Sequence, residues 1–231
     1  WGEAPIISAG RRFELCWLGD EGNTPVPVGF LDLVGPYSDR NNSCVSGNNC
    51  SLLVQGYGLP RVGKNDRIAV LEVCGGRRVD GVSWPWNNGS VIMSTGGLYH
   101  VCWCPSEAIC SHPSEFTMNA GLLEVRGPIG PQSKQCNVIS PCSLQIEGQD
   151  LRVGDRVAVA ASCESARVAE GVNNGTRFRF PFVDAGEYRL CWCNSGSCPL
   201  DFGQLIVRGA VGNQTGICVA GQQCAIRDLV G

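Results

Sequence analysis

Two copies of one short pattern occur in this chain, Tyr99-His100-Val101-Cys102-Trp103-Cys104 and Tyr188-Arg189-Leu190-Cys191-Trp192-Cys193. Each copy follows a small-residue turn and is followed by a further cysteine and an apolar run. A pair of cysteines six residues apart recurs in the same frame, as Cys44 and Cys50, Cys136 and Cys142, and Cys218 and Cys224. Because these landmarks recur at spacings of 82 to 92 residues, the sequence indicates a tandem repeat.

The repeat divides the chain into two complete units and two partial ones. We expect residues 1–34 to be the C-terminal part of a repeat and residues 210–231 to be the N-terminal part of another. Residues 35–127 and 128–209 are expected to be complete repeats. The chain is therefore interpreted as a piece of a longer polypeptide.

Each unit is predicted to be all-β. Short runs such as Val157-Ala158-Val159 and Leu205-Ile206-Val207 lie between Gly, Asn, Asp and Pro clusters, which is typical of short strands joined by turns. No stretch combines a helical period with capping residues. Units of 80–90 residues with about seven strands favour tandem immunoglobulin-like (E-set-like) β-sandwich repeats stapled by disulfides.

Fifteen cysteines indicate a secreted or cell-surface protein, because disulfides persist in oxidising compartments. In the first partial unit, Leu18 replaces the second cysteine of Cys-Trp-Cys, and the cysteine expected after it is also missing. Two losses together indicate that these positions pair with each other. The repeat then predicts seven bonds, with Cys16 unpaired: Cys44–Cys50, Cys74–Cys102, Cys104–Cys110, Cys136–Cys142, Cys163–Cys191, Cys193–Cys198 and Cys218–Cys224.

Strand alternation predicts which way these side chains face. Tyr188, Leu190 and Trp192 fall on one side of their strand, and Cys191 and Cys193 fall on the other. If the Tyr/Leu/Trp side is the core, we expect the cysteines to face outward and their bonds to join neighbouring strands, unless a bulge in the strand reverses the alternation.

Five Asn-x-Ser/Thr motifs predict N-linked glycans. Asn88 and Asn174 each lie in an Asn-Asn-Gly-Ser/Thr turn, and we expect both to be glycosylated on the same edge of successive units. Asn49 is expected to be poorly occupied, because its neighbour Cys50 belongs to a tight loop. The remaining two acceptors are Asn41 and Asn213.

Composition excludes several kinds of partner. The net charge is −3 and charged residues make up 17% of the chain, so nothing predicts binding to nucleic acid or to an anionic membrane surface. No apolar run is long enough to span a bilayer.

No catalytic, metal or cofactor site is predicted. Only two histidines, His100 and His112, accompany the cysteines, and no second Cys pair at zinc-ligand spacing supports a metal site. Asp66-Arg67 and Asp155-Arg156 recur before a strand and are interpreted as turn-closing carboxylates with solvated arginines. Trp84 and Trp86, in a Trp-Pro-Trp motif that is not repeated, form a possible exposed contact site.

The Gly-x-Tyr-x-Leu/Val-Cys-Trp-Cys strand, together with the upstream Cys pair and the Gly-Asp-Arg turn, resembles the Cys-rich immunoglobulin-like repeats of algal and protist surface glycoproteins. The similarity is greatest to proteins of mastigoneme-type flagellar filaments. This resemblance implies a glycosylated extracellular fibre subunit, at the cell or flagellar surface, without catalytic residues or cofactors.

Two functional hypotheses remain open. The first is a structural filament or coat subunit, whose partners are neighbouring repeats or other copies of the chain arranged head-to-tail. The second is an adhesin or receptor ectodomain that binds a protein or a glycan. The partial units are expected to be completed either in the same polypeptide or by strand exchange with another molecule, and the first possibility is preferred.

Overall fold

A computed structural model describes residues 6–19, 24–59, 66–138, 141–175, 177–181, 183–194, 196–210 and 214–225 of the chain. The protein is all-β, and these described ranges also include a 3-10 turn at Pro113–Glu115. No helix in the described ranges has the length and apolar character needed to cross a membrane. The strands are β1 (Arg11–Trp17), β2 (Val26–Leu33), β3 (Gly35–Pro36), β4 (Asn41–Val45), β5 (Gly56–Tyr57), β6 (Arg67–Leu71), β7 (Gly97–Cys104), β8 (Met118–Pro128), β9 (Gln132–Asn137), β10 (Ser143–Leu144), β11 (Gly148–Gln149), β12 (Arg156–Ala160), β13 (Arg167–Asn173), β14 (Phe178–Arg179), β15 (Gly186–Asn194) and β16 (Ser197–Arg208).

The chain forms two compact units. The first contains Trp1–Cys44, Asn49–Ile92 and Leu98–Val125, and the second contains Val45–Asn48, Met93–Gly97 and Arg126–Gly231. The division into four segments expected from the repeat stays a prediction.

The first unit has a main sheet in which β7 lies between β6 and β8, while β4 pairs with β8. Its core includes Val70, Val101, Leu123 and Val125, whose side chains are almost fully buried. A separate hairpin, β1–β2, forms a two-stranded sheet of its own.

The second unit is built on one seven-stranded sheet, in the order β10-β14-β13-β12-β15-β16-β9. All its pairs are antiparallel except β16–β9, which is parallel. Leu144 near one end of the sheet and Val207 near the other belong to the same core cluster, so the sheet curls around its own core. This differs from the two separate sheets expected, because the short strands β14 and β10 continue the sheet beyond β13.

The two units repeat one strand pairing in the same register. In β6–β7, Ile68 lies opposite Trp103 and Ala69 opposite Cys102. In β12–β15, Val157 lies opposite Trp192 and Ala158 opposite Cys191. This part of the sequence repeat is therefore repeated in the structure as well.

The expectation that the cysteines of this strand face outward is only half right. Cys191 does lie on the side of the sheet opposite to Leu190 and Trp192, as alternation requires, but it is fully buried. It packs with Ala158 and Cys198 in a small second core. The small alanine leaves room on that side, and the disulfides themselves cover it.

Seven disulfides are present, and they join the pairs that the repeat predicts. Cys16 is unpaired and exposed in the described chain. Because so many disulfides persist only under oxidising conditions, the protein is extracellular.

Candidate functional site

A cleft of about 480 Å³ opens in the second unit, where β12, β13 and β15 meet the loops at their ends. The charged and polar side chains of the cleft come from different elements: Arg156 from β12, Arg167 and Glu170 from β13, and Asn194 from the end of β15. Its described lining residues are Val45, Asn48, Arg126, Gly154, Asp155, Arg156, Arg167, Glu170, Trp192, Cys193, Asn194 and Gly196.

One wall of the cleft is fixed by Asp155. Its Oδ2 accepts a hydrogen bond of 2.6 Å from the backbone N–H of Arg152, which closes the turn before β12. Its Oδ1 forms an ion pair with Arg126, and both side chains are largely buried. The expectation of a turn-closing carboxylate is thus met at Asp155, which also holds a second charged group in place. The Nε of Arg126 is buried and has no hydrogen-bond partner among the described residues.

The opposite wall is an Arg–Glu–Arg arrangement on the disulfide side of the sheet. Glu170 accepts a hydrogen bond of 3.3 Å from Arg156 and one of 2.7 Å from Arg167. Arg167 also donates to the carbonyl oxygen of Gly196. One carboxylate therefore orients two guanidinium groups, and Arg156 keeps most of its donors in solvent because its side chain is 62% exposed.

The charge of the cleft is positive. Three arginines and two carboxylates are among its described lining residues, whereas the whole chain carries a net charge of −3. Trp192 is the one aromatic residue in the described lining, and it is only 1% exposed. The cleft therefore offers charged donors for an anionic group and no aromatic face on which a neutral sugar ring could stack.

Metal binding at this place is not supported by the donor set. The Sγ atoms of Cys193 and Cys198 and a carboxylate oxygen of Glu170 lie within 4.8 Å of one another. The two sulfurs are bonded to each other, so neither is the thiolate that a metal would require.

The first unit does not reproduce this arrangement. Arg78 forms an isolated β-bridge with Leu71, just as Arg167 pairs with Ala160 in the second unit. The guanidinium of Arg78, however, lies 3.9 Å from the centre of the Trp84 ring. Three residues further on, Gly81 stands where the second unit has Glu170. The first unit does have a cleft beside Asp66 and Arg67, so it is the Arg–Glu–Arg arrangement, and not the cleft itself, that belongs to the second unit alone among the described residues.

The prediction of an exposed contact site at Trp84 and Trp86 is wrong for Trp86. Trp86 is 8% exposed and belongs to the core of the first unit. Trp84 is half-buried against Phe116, with the two rings edge to face at 5.0 Å. Both side chains fill space under the turn that contains them, which is the usual role of large aromatic groups in a small β domain.

The described glycosylation acceptors are all on the surface. Asn41, Asn49, Asn88 and Asn174 are exposed, whereas Asn213 lies outside the described residues. The Oδ1 of Asn88 accepts a hydrogen bond of 2.8 Å from the N–H of Leu52, so its amide has a fixed orientation. Whether these sites carry glycans stays a prediction.

Sequence reasoning missed Arg126, Arg167 and Glu170. Arg126 does recur, as Arg208, at the end of the repeated apolar run, but that run gives no sign of an acidic partner. Glu170 has no counterpart in the first unit, so the repeat does not indicate it. The usable signal was Asp155-Arg156, because a carboxylate that closes a turn can also hold an arginine from another strand.

Comparison with known proteins adds no family. No protein-family model and no curated protein matches the chain. A solved structure, SGBP-B of the mixed-linkage glucan utilization locus of Bacteroides ovatus in complex with a mixed-linkage heptasaccharide, is similar with 12% sequence identity and a TM-score of 0.24. The match covers 75% of this chain and 44% of that chain, so the chain spans less than half the length of that protein. A similarity this low carries no argument about fold or ligand.

Proposed function

We propose that the protein is a structural, non-enzymatic subunit of an extracellular glycoprotein filament or surface coat, built from tandem immunoglobulin-like repeats. The observation that carries this proposal is the repetition of one stapled strand pair. Ala69 opposite Cys102 and Ala158 opposite Cys191 occupy the same place in the two units, and each of these cysteines is bonded to another 28 residues earlier. A repeated, covalently closed unit suits a load-bearing assembly.

The resemblance to mastigoneme-type repeats supports the same role and suggests a cell or flagellar surface. In this proposal, N-linked glycans at the exposed Asn-x-Ser/Thr sites coat the assembly. Its partners are neighbouring repeats of a longer chain or further copies arranged head-to-tail.

The test is electron microscopy of the protein purified from its natural source, combined with its mass under reducing conditions. We expect regular polymers and a polypeptide much larger than the 24.6 kDa of this chain. Dispersed monomers that form no regular assembly over a range of concentrations and salt would contradict a filament role.

The arginine-lined cleft favours a second candidate function, that of an adhesin. Its Arg–Glu–Arg wall and its excess positive charge suit a carboxylate or sulfate group on an extracellular glycan. Because the first unit lacks the equivalent of Glu170, the cleft is not required to build the repeat.

Calorimetric titration with a sulfated or uronate-containing oligosaccharide tests this second candidate, with a neutral glucan oligosaccharide as the control ligand. We expect binding of the acidic ligand alone, weakened at least tenfold by Arg156→Ala. Arg189→Ala, on the same strand as Asn194 but outside the cleft, is the matched control variant. Equal binding of both oligosaccharides, or no effect of Arg156→Ala, would contradict it.

A further inference from the structure

The β1–β2 hairpin is the same supersecondary unit as β15–β16. In β1–β2, Leu15 lies opposite Gly29, and the register then shifts before Cys16 pairs with Pro27. In β15–β16, Leu190 lies opposite Gly203, and the register shifts before Cys191 pairs with Asp201. The two hairpins therefore share strand order, register and bulge position, which makes their residues equivalent one by one.

The side chains that form the core in the second unit are exposed in the hairpin. Trp17 is 66% exposed, and its equivalent Trp192 is 1% exposed. Val28, the residue skipped in the bulge, is 63% exposed, and its equivalent Phe202 is 1% exposed. An apolar face of this kind on an open hairpin is a surface that a further layer covers.

A glycine in the bulge shows what is missing beside β2. A Cβ atom on Gly203 would lie 2.0 Å from the carbonyl oxygen of Gln132, on the neighbouring strand β9. A Cβ on Gly121, the equivalent residue of the first unit, would lie 1.9 Å from the carbonyl oxygen of Arg40. At Gly29, nothing in the part of the chain that the structure describes lies within 4 Å of the same position. Beside β16 and beside β8, a neighbouring segment thus lies where the described part of the hairpin has open space.

Among the described residues β1 pairs with β2 alone, and the other edge of β1 indicates what is missing on that side. In the second unit, the strand equivalent to β1 pairs with β12, which places Ala158 opposite Cys191. Cys163, five residues after that alanine, forms the disulfide with Cys191. Cys74 stands in the same relation to Ala69 and Cys102. Cys16 is equivalent to Cys102 and Cys191, and it is unpaired and exposed.

From these relationships we infer that the hairpin is the docking surface for the first half of its own repeat, supplied by the parent polypeptide ahead of residue 1. A strand of the β12 type pairs with β1, and a strand of the β9 type covers Gly29. Cys16 is bonded to a cysteine 28 residues before it, the separation found for Cys74–Cys102 and for Cys163–Cys191. A small residue five positions before that cysteine faces Cys16. This assignment rests on the equivalence of the hairpins and not on the proposed filament role.

The first experiment is non-reducing peptide mapping of the protein from its natural source. We expect the peptide that contains Cys16 to be disulfide-bonded to another peptide of the same polypeptide. That second peptide should have a small residue five positions before its cysteine. A free Cys16 thiol overturns the inference. A disulfide from Cys16 to a separate chain, which is released on reduction, also overturns it, because another molecule would then cover the hairpin. A polymer absent from micrographs, with this link intact, would contradict the filament role alone.

A second experiment uses residues 1–231 with a synthetic peptide of residues 152–166, which carries β12 and Cys163. In a glutathione redox buffer, we expect a mixed disulfide between this peptide and Cys16, with protection of the β1 amides from hydrogen exchange. The matched controls are Cys16→Ser in the protein and Ala158→Trp in the peptide, whose bulky side chain would meet Cys16. Equal capture of the two peptides by the unsubstituted protein overturns the inference.

Discussion

Asp32 accepts two hydrogen bonds from the guanidinium of Arg12, at 2.6 Å from Nε and 2.8 Å from the terminal nitrogen. The two residues face each other across β1 and β2. The hydroxyl of Tyr57, in β5, donates a third hydrogen bond of 2.8 Å to the same carboxylate. This contact ties the hairpin to the rest of the first unit.

The hydrogen bonds from Arg12 and then from Tyr57 lower the pKa of Asp32 from its ordinary value of 3.8 to about 2. A lowered pKa means that the stabilising contribution is complete above about pH 4 and is lost as the pH falls through 2. An NMR titration of the Asp32 carboxyl carbon should therefore have its midpoint near 2. Arg12→Ala should return it toward 3.8, and a midpoint near 3.8 in the unsubstituted protein would contradict the geometry.

Removing the Cys163–Cys191 bond should destabilise the second unit. Replacing both residues with alanine opens a loop closed over 28 residues, which corresponds to about 3.5 kcal/mol of loop-closure entropy. Urea denaturation measures the change. The matched control replaces Cys218 and Cys224, because residues 214–225 are exposed throughout, and it should leave the main transition unchanged. Equal midpoints for the two variants would show that the bond is not structural.

Trp86→Ala should destabilise the first unit by about 3–5 kcal/mol, because it leaves a large cavity in the core cluster that also contains Val70 and Ile92. Trp84→Ala should have a smaller effect, about 1–2 kcal/mol, through the loss of the Phe116 and Arg78 contacts. Thermal unfolding measures both. The reverse order would restore the interpretation of Trp86 as an exposed contact residue.

Gly203→Ala should loosen β9. The added Cβ would lie 2.0 Å from the backbone oxygen of Gln132, so one strand must move, at a cost of roughly 2 kcal/mol. Hydrogen exchange of the amides in β9 should rise, while the amides of β12 stay protected. Gly19→Ala is the control, because the nearest atom to its added Cβ is 3.8 Å away on a side chain. Unchanged exchange in β9 would contradict the close approach.

The sequence was sufficient to predict the disulfide pairs, because the repeat provides several copies of each position. The first partial unit lacks both the cysteine at the position of Leu18 and the cysteine expected after it. This joint loss indicates that the two positions pair, which the spacing of the cysteines alone does not show. Alternation also placed Leu190 and Cys191 on opposite sides of the sheet. It could not predict that Cys191 is buried, because a period of two residues says which side a residue occupies and not what covers that side.

The cleft was harder to predict for a related reason. Arg126, Asp155 and Glu170 are 29 and 15 residues apart in the sequence, and only the pairing of β12 with β13 and the turn before β12 bring them to one opening. Trp86 was misread because a motif that is not repeated looks like an addition to the fold, although here it completes the core.

The 28-residue disulfide loops have a mechanical consequence for each of the two compact units. A chain pulled from its ends after the strands separate would gain roughly 3.4 Å of length per released residue. The residues between Cys163 and Cys191, and between Cys74 and Cys102, cannot contribute, because the sulfur bridge carries the tension around them. About 90 Å of contour is thus withheld in each unit, so each unit would lengthen by that much less on forced unfolding than the same chain with its cysteines reduced.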